Sequence, residues 1–520
     1  MQSDLKTLEF DGIRRILARL ALTPYGNDAA HQLEPAPDLI IARAMQRSIG
    51  AARRLVDAGE MPRLGDVPDV RAALRQAGQT GSALSATAFH HIRQVVRVAA
   101  DLHSLAERHP DLSAEPAVLL LGGGLIPAID QAINAQGRLR DDASEPHREL
   151  NARFGEVRAE VEAALHAVTS ASENRGLFEG SQAVQWHGMR GVLAVRTPQA
   201  EKIKGVRRGT SAGGRDTLIE PIAAVSLNNR LETISGQIEA QNQLVLRQLT
   251  DLLRDDLPVL HRLIDEIIWT DLALAGGQLS AAMNASAPEL VDQPVLRLEQ
   301  VYHPQLLLQF QQRQISHLVP LTLDLNARHP MLVITGPNTG GKTVVLKTAG
   351  LLATMAHCGL HLPAEGACTV GNFTRVIVDV GDKQSLHHHL STFAGHVEVL
   401  KRLLTEADDH TLVLMDELGT GTDPEEGASL AMAVLDELSG RRVMGIVTTH
   451  LTPLKGFADQ HAWLSNACMK FDFETLSPTY QLELGHAGQS LGLIIAEKNG
   501  LPAELVARAR QHLAGLRGEK

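Results

Sequence analysis

Residues 331–352 read MLVITGPNTGGKTVVLKTAGLL, and this stretch decides the fold. Met331 to Thr335 is an apolar run of the kind that fills a strand buried on both faces. After a glycine-rich turn, apolar residues recur at Val345, Leu346, Ala349 and Leu352, which is helical spacing. The turn has the form G-x-x-x-x-G-K-T and comprises Gly336, Pro337, Asn338, Thr339, Gly340, Gly341, Lys342 and Thr343. Glycines let the backbone bend so that successive N–H groups point inward at a helix N-terminus, where they cradle phosphate oxygens. Lys342 then reaches the β- and γ-phosphates, and Thr343 offers its hydroxyl to Mg²⁺. Short motifs recur by accident, and the same glycines would serve a merely packed strand–turn–helix. A second motif has to decide.

That motif begins at Leu412, where Leu412 to Met415 form another buried-strand run ending in Asp416-Glu417. An acidic pair at the C-terminal end of a parallel strand sits where open α/β sheets bind ligands. Asp416 is placed to hold the Mg²⁺ shell, and Glu417 to orient or deprotonate the attacking water. Thr422 and Glu425 fit a capping box that opens a helix from Pro424 to Leu438. A third run, Val443 to Thr448, is followed by Thr449-His450 and brings an imidazole to the same sheet edge, within reach of the γ-phosphate. Two motifs and a histidine in this order predict a nucleoside triphosphatase.

The 520 residues allow two to four domains. No run approaches the roughly 18–20 apolar residues that span a bilayer, so no membrane association is expected. MQSDLKTLEFDG lacks a basic-then-apolar signal pattern. Cys358, Cys368 and Cys468 have neither disulfide-framework nor metal-ligand spacing, which fits a reducing cytoplasm. A formal charge of −11 excludes a uniformly basic nucleic-acid binder but leaves room for a local basic patch.

Taken in order, residues 5–140 predict helices joined by Pro/Gly turns, one of them capped by Ser85 with Phe89, Ile92, Val96 and Ala99 on one face. Long amphipathic helices are predicted over Glu145–Thr169 and Val225–Leu253, each roughly 40 Å long at 1.5 Å per residue, as an antiparallel pair of arms around a short insert. The insert has strand runs at Ala183–His187 and Gly191–Thr197. It carries Arg190, Arg196, Lys202, Lys204, Arg207, Arg208 and Arg215 against Glu201 and Asp216. Such a block fits phosphate-backbone contact and equally a solvated face, with Arg215 and Glu220 paired locally. From Pro294 the pattern alternates β and α, with strands predicted at Val295–Leu298, Met331–Thr335, Val376–Val380, Leu412–Met415 and Val443–Thr448 in a parallel sheet covered on both faces. His387, His388 and His389 on one helix would point in different directions, so no metal site is expected there. Ser391-Thr392-Phe393 reads as a helix start, and Gly485–Ser490 leads into a helical tail.

Together these residues resemble the MutS family of ABC-type ATPases. TGPNTGGKT is similar to its P-loop, LSTFAGH to its signature segment, LMDELGTGTDPEEG to its metal-and-base strand, and TTHLTPLKG to its switch histidine. GLHLPAE, His303-Pro304 and GHAGQSLGLIIAEKNGLPAELVARA also match family patterns, so the likeness spans nearly the whole chain. RGTSAGGRDTLIEPIAAVSLNNRL and the opening LEFDGIRRILARLA resemble the type-two bacterial branch. Two departures stand out. The wedge tripeptide of mismatch readers occurs only as Phe154-Gly155-Glu156, inside an arm helix, so mismatch reading is not expected. No Smr-like continuation follows Lys520, so nuclease activity is not expected either. Leu318 and Val319 stand near the place where mismatch-reading relatives put an aromatic against adenine, which implies weaker base stacking.

The resemblance implies a fold of class α plus α/β. A helical core occupies residues 1–140, and lever helices with a basic clamp-like insert (about 180–222) occupy 141–258. A helical connector spans 259–292. An ABC-type P-loop ATPase domain with a mainly parallel sheet and a C-terminal dimerisation tail spans 293–520. It implies a homodimer using ATP and Mg²⁺, each nucleotide lying between one P-loop and Ser391 of the other subunit, with ATP binding and hydrolysis switching the arms. The implied role is a clamp on branched or duplex DNA in recombination control or repair. The alternative is an ATP-dependent factor that splits stalled ribosomes.

Overall fold

The computed structural model describes residues 2–64, 66–113, 124–174, 176–178, 183–211, 213–336, 341–380, 392–472, 477–488, 492–498 and 500–517. They form two compact units, one from Met1–Gly65, Leu102–Pro116 and Asp265–Lys520, the other from Asp66–Asp101 and Ala117–Ile264. The class is helical plus α/β with mixed sheets.

The larger sheet of the first unit orders its strands Arg375–Asp379, Thr411–Met415, Met444–Thr449, Met331–Thr335, Leu464–Asp472, Ser477–Leu484. The first five run parallel and the last antiparallel. Met331–Thr335, Thr411–Met415 and Met444–Thr449 are buried at every position, as parallel strands covered on both faces must be. On one side lies the helix Lys342–His357, where Gly350 permits close approach: a Cβ there would come within 2.5 Å of Leu414 and of Leu8. On the other, Leu403, Leu435, Leu438 and Leu454 from three helices pack with Val413 and Val447.

In this first unit two local expectations change. The strand foreseen at Val295–Leu298 forms as Leu296–Val301, but in a separate sheet with Glu289–Val291, Cys368–Gly371 and Leu321–Leu325. Its burial alternates, with Leu296, Leu298 and Val301 inside, the mark of a one-faced antiparallel strand rather than a doubly covered one. The cap of helix Pro424–Gly440 is Asp423, whose carboxylate accepts from the N–H groups of Glu425 (2.9 Å) and Glu426 (3.3 Å). Thr422 instead donates to the Glu426 carboxylate. Proline at the first helical position sets the frame one residue later than the capping-box reading.

In the second unit, helix Glu145–Ser170 starts at Ser144, whose Oγ accepts from His147 N–H. It packs through Val157 on Leu231 and Ile234 of the next helix. Bonds from Arg230 to Glu160 and from Gln241 to Ser144 join the two helices in opposite chain sense. That second helix runs Ile222–Ala282, well past the predicted Leu253 and through Pro258. Proline forfeits one N–H bond, and buried Leu253, Leu260 and Leu263 on either side hold the helix together.

Between these helices a four-stranded antiparallel sheet orders Val184–His187, Arg190–Arg196, Asp216–Pro221, Gly205–Thr210. Gly191 lies against the first helix, where a Cβ would come 2.6 Å from Val161. Glu220 is fully buried and accepts from Arg190 (2.8 Å), Arg208 (2.5 Å) and Asn228 (2.8 Å). Burial alone would raise its pKa, but the bonds from Asn228, Arg208 and Arg190 outweigh it and hold the carboxyl below the ordinary glutamate range. A depressed folded value means the pairing stabilises the fold above the unfolded glutamate pKa of about 4.3 and is lost as pH falls through the folded value. Glu220→Ala strands two guanidinium groups and should lower stability at pH 7 by about 3 kcal/mol. Denaturant unfolding of variant and wild type across pH checks this. The gap should shrink below about pH 4, and equal stability at pH 7 would contradict it.

Candidate functional site

The ladder pairs Thr335 with Thr449 on one side and with Cys468 on the other, while Met415 pairs with Val447. Gly336, Asp416 and His450 therefore each follow the C-terminal end of one of three adjacent parallel strands, the edge at which such sheets bind ligands. Gly336 (φ 132°) and Gly341 (φ 91°) adopt backbone angles that favour glycine. Pro337, Asn338, Thr339 and Gly340 lie outside the described residues, as do Ser391 and His387 to His389. Lys342 and Thr343 open the helix that follows. The Lys342 side chain is buried and its Nζ donates to the Gly336 carbonyl (2.5 Å). Burial lowers the ammonium pKa, and the nearby Asp416 and Glu417 carboxylates oppose that shift.

Asp416 is the meeting point. Its Oδ2 accepts from Thr343 Oγ1 (2.6 Å), its Oδ1 accepts from Thr448 Oγ1, and its N–H donates to the Asp379 carbonyl (2.8 Å). Thr448 Oγ1 in turn accepts from the Glu417 N–H (2.9 Å), so one hydroxyl ties both acidic residues to the neighbouring strand. Glu417 itself has φ 55°, a left-handed conformation that turns the chain out of the strand. His450 is exposed directly after its strand. Thr343 and Asp416 present two hard oxygen donors side by side, the donor type that Mg²⁺ takes alongside phosphate oxygens. The residues present fit that ion.

Beside Gly341 opens a cavity of about 470 Å³, walled by Leu318, Val319, Val344, Thr348, Tyr480 and His303. Burial pushes His303 down to about 4, so its imidazole is neutral at pH 7. Tyr480 escaped the sequence reading. It lies on the antiparallel edge strand, half-exposed, with its ring so near Gly341 that a Cβ there would come within 3.1 Å. Its being one of only three tyrosines was the one signal available in the sequence. Gly488, from the glycine-rich segment before the tail, is gripped by Thr335 Oγ1 (2.7 Å to its N–H) and Lys455 Nζ (2.6 Å to its carbonyl).

The basic residues lie in the other unit and differ among themselves. Arg190 and Arg208 are ion-paired on Glu220, with Arg190 also on Glu232, and so hold the small sheet together. Arg196 faces Asp216 and Arg207 faces Glu201, both at 3.6 Å on the surface, where such pairs are weak. Lys202 and Lys204 are exposed. Glu220, the residue that divides this set, pairs with Arg190 and Arg208 where the sequence suggested Arg215, a choice that a count of charges cannot make.

Residues 332–517 match the family model of MutS domain V. The chain is 35% identical over 512 residues to a protein named Endonuclease MutS2 from Symbiobacterium thermophilum, covering 98% of this chain and 63% of that relative. Proteins of the same name from Thermomicrobium roseum and Thermus thermophilus are each 34% identical, over 98% of this chain and 65% and 66% of their own lengths. The chain thus spans slightly less than two thirds of the relatives it matches.

Thr448→Val keeps the shape of the strand but removes the hydroxyl shared by Asp416 and Glu417. If Asp416 holds Mg²⁺ for ATP hydrolysis, losing this outer-shell partner predicts a fall of about 10- to 100-fold in Mg²⁺-dependent ATP turnover. Steady-state phosphate release measures it, and turnover equal to wild type would deny the shared hydroxyl its role.

Proposed function

The chain belongs to the MutS family, and on that premise we propose that it is a DNA-binding ATPase of the type-two branch, working as a homodimer. The observation that carries the reading is Asp416 at the mouth of the glycine turn, accepting from Thr343 and from Thr448, whose hydroxyl also accepts from the Glu417 N–H. In this proposal the backbone from Gly336 to Gly341, Pro337 to Gly340 included, cradles the phosphates and Lys342 neutralises their charge. Thr343 and Asp416 hold Mg²⁺, which when bound supplies Lewis-acid charge stabilisation at the β- and γ-phosphate oxygens. Glu417 orients the water and takes its proton, and His450 contacts the γ-phosphate. The apolar cavity walled by Leu318, Val319 and Tyr480 takes the nucleobase. Tyr480 supplies the aromatic face that Leu318 and Val319 cannot.

Ser391 serves the nucleotide of the neighbouring subunit, and the helix Ala503–Arg517, with Leu505 and Leu513 exposed, supports self-association. Helix Glu145–Ser170 and its partner from Ile222 act as levers, and the sheet between them as a clamp for DNA phosphates. Lys202 and Lys204, with Arg196 and Arg207, grip those phosphates, while Arg190 and Arg208 shape the sheet. The relatives' name includes endonuclease; the machinery proposed for these residues is ATP hydrolysis alone.

Reversing Lys202 and Lys204 to Glu tests the clamp. Each lysine withdrawn from a phosphate removes about 0.9 from the slope of log K against log[salt], so duplex binding should weaken and its salt dependence flatten by roughly two. Binding to a duplex, a four-way junction and ribosomes at several salt concentrations decides the outcome. Unchanged DNA binding would overturn the clamp, and a loss confined to ribosomes would replace DNA with the ribosome as target.

A further inference from the structure

The N-terminal helix Gln2–Thr7 and the residues after it touch both halves of the nucleotide machinery within their unit. Asp4 is buried, and its carboxylate accepts from Arg402 Nη2 (2.5 Å) and Nη1 (3.3 Å). Arg402 sits on helix Thr392–Glu406, which begins one residue after Ser391. Five residues beyond Asp4, Glu9 takes the left-handed conformation (φ 60°) and accepts from Lys347 Nζ (2.6 Å) on the helix that Lys342 and Thr343 open. The Glu9 carbonyl also accepts from Gln305 (3.1 Å). Between the two ion pairs Leu5 and Leu8 are buried, Leu8 against Gly350 of that same helix.

An isolated six-residue helix is unstable in water, so this one is held by what it touches. Pairs between exposed groups hold little. Here one partner is buried and takes two bonds from one guanidinium, an arrangement that fixes direction as well as distance. At its other end, helix Thr392–Glu406 is held by His396 Nδ1 against Asp379 Oδ2 (2.8 Å), the residue whose carbonyl accepts from Asp416.

We infer that Asp4 and Arg402 are positioning residues for ATP hydrolysis: the N-terminal segment, anchored on the Lys342–His357 helix by Glu9 and Leu8, fixes the helix that follows Ser391. The inference rests on the proposed ATPase reading and on Ser391 serving the γ-phosphate. Neither Asp4 nor Arg402 belongs to the phosphate cradle, so breaking their link leaves nucleotide affinity intact. Alignment suffers instead, because the helix can then pivot about His396.

Asp4→Asn, Arg402→Gln and the double variant test this. Turnover should fall roughly tenfold in each, short of the roughly 10²-fold that about 1 Å of misplacement can cost. Nucleotide dissociation constants, read with a fluorescent ATP analogue, should stay within about twofold of wild type. The double variant should be no worse than either single one, since both cut one link. Arg402→Lys, which keeps the charge and loses the fork, should fall between and serves if Arg402→Gln does not fold. Unchanged turnover, an affinity loss matching the turnover loss, or multiplying defects would overturn the link while leaving the ATPase reading standing. A wild-type chain that binds ATP and never hydrolyses it would remove both.

Discussion

One carboxylate organises the C-terminal end of the parallel strands in the larger sheet. Asp416 accepts from the first turn of the helix behind the glycine loop and from the next strand, while its amide reaches the strand on its other side. Three strand ends and one helix start are thereby registered at a single point. The ladders deliver them there because buried strands cannot slip without turning their apolar set the wrong way. Glu417 in the left-handed region and a buried ammonium at Lys342 are both unfavourable by themselves. Both persist because strands buried at every position lie directly behind them.

Elsewhere buried carboxylates recur as local organisers. Asp271, fully buried, accepts from the N–H groups of Leu22 and Thr23 and from the Thr23 hydroxyl. Burial raises its pKa against the pull of those bonds. Glu220 does the equivalent in the small sheet with two arginines and an asparagine. Each costs desolvation and is tolerated because every donor around it is aimed. The same arrangement explains why a basic block read from sequence splits into structural and exposed members.

The parallel strands were legible because doubly buried strands write continuous apolar runs, and the glycine turn because its spacing is local. Less legible was anything set by competition or by distance. Thr422 and Asp423 are both able to cap, and Pro424 decided between them. Leu296–Val301 is a strand as read, but its alternation assigns it to another sheet. Proline ordinarily ends a helix, and at Pro258 buried leucines on both sides carry the helix through. Asp4 meets Arg402, and Arg190 meets Glu220, across separations that no periodicity records. Tyr480 reaches the cavity only because an edge strand folds back beside Gly341.

In the proposed reaction ATP is hydrolysed at the Asp416–Glu417 corner, with Asp416 on the metal side and Glu417 on the water side. Glu417→Gln separates the two roles, since it keeps size and polarity and removes the base. Single-turnover phosphate release, measured beside Mg²⁺-dependent ATP retention, is the direct test. The expected result is retained ATP binding with hydrolysis lowered by roughly 10²-fold or more, the scale of a lost general base. Hydrolysis at the wild-type rate in Glu417→Gln would contradict it.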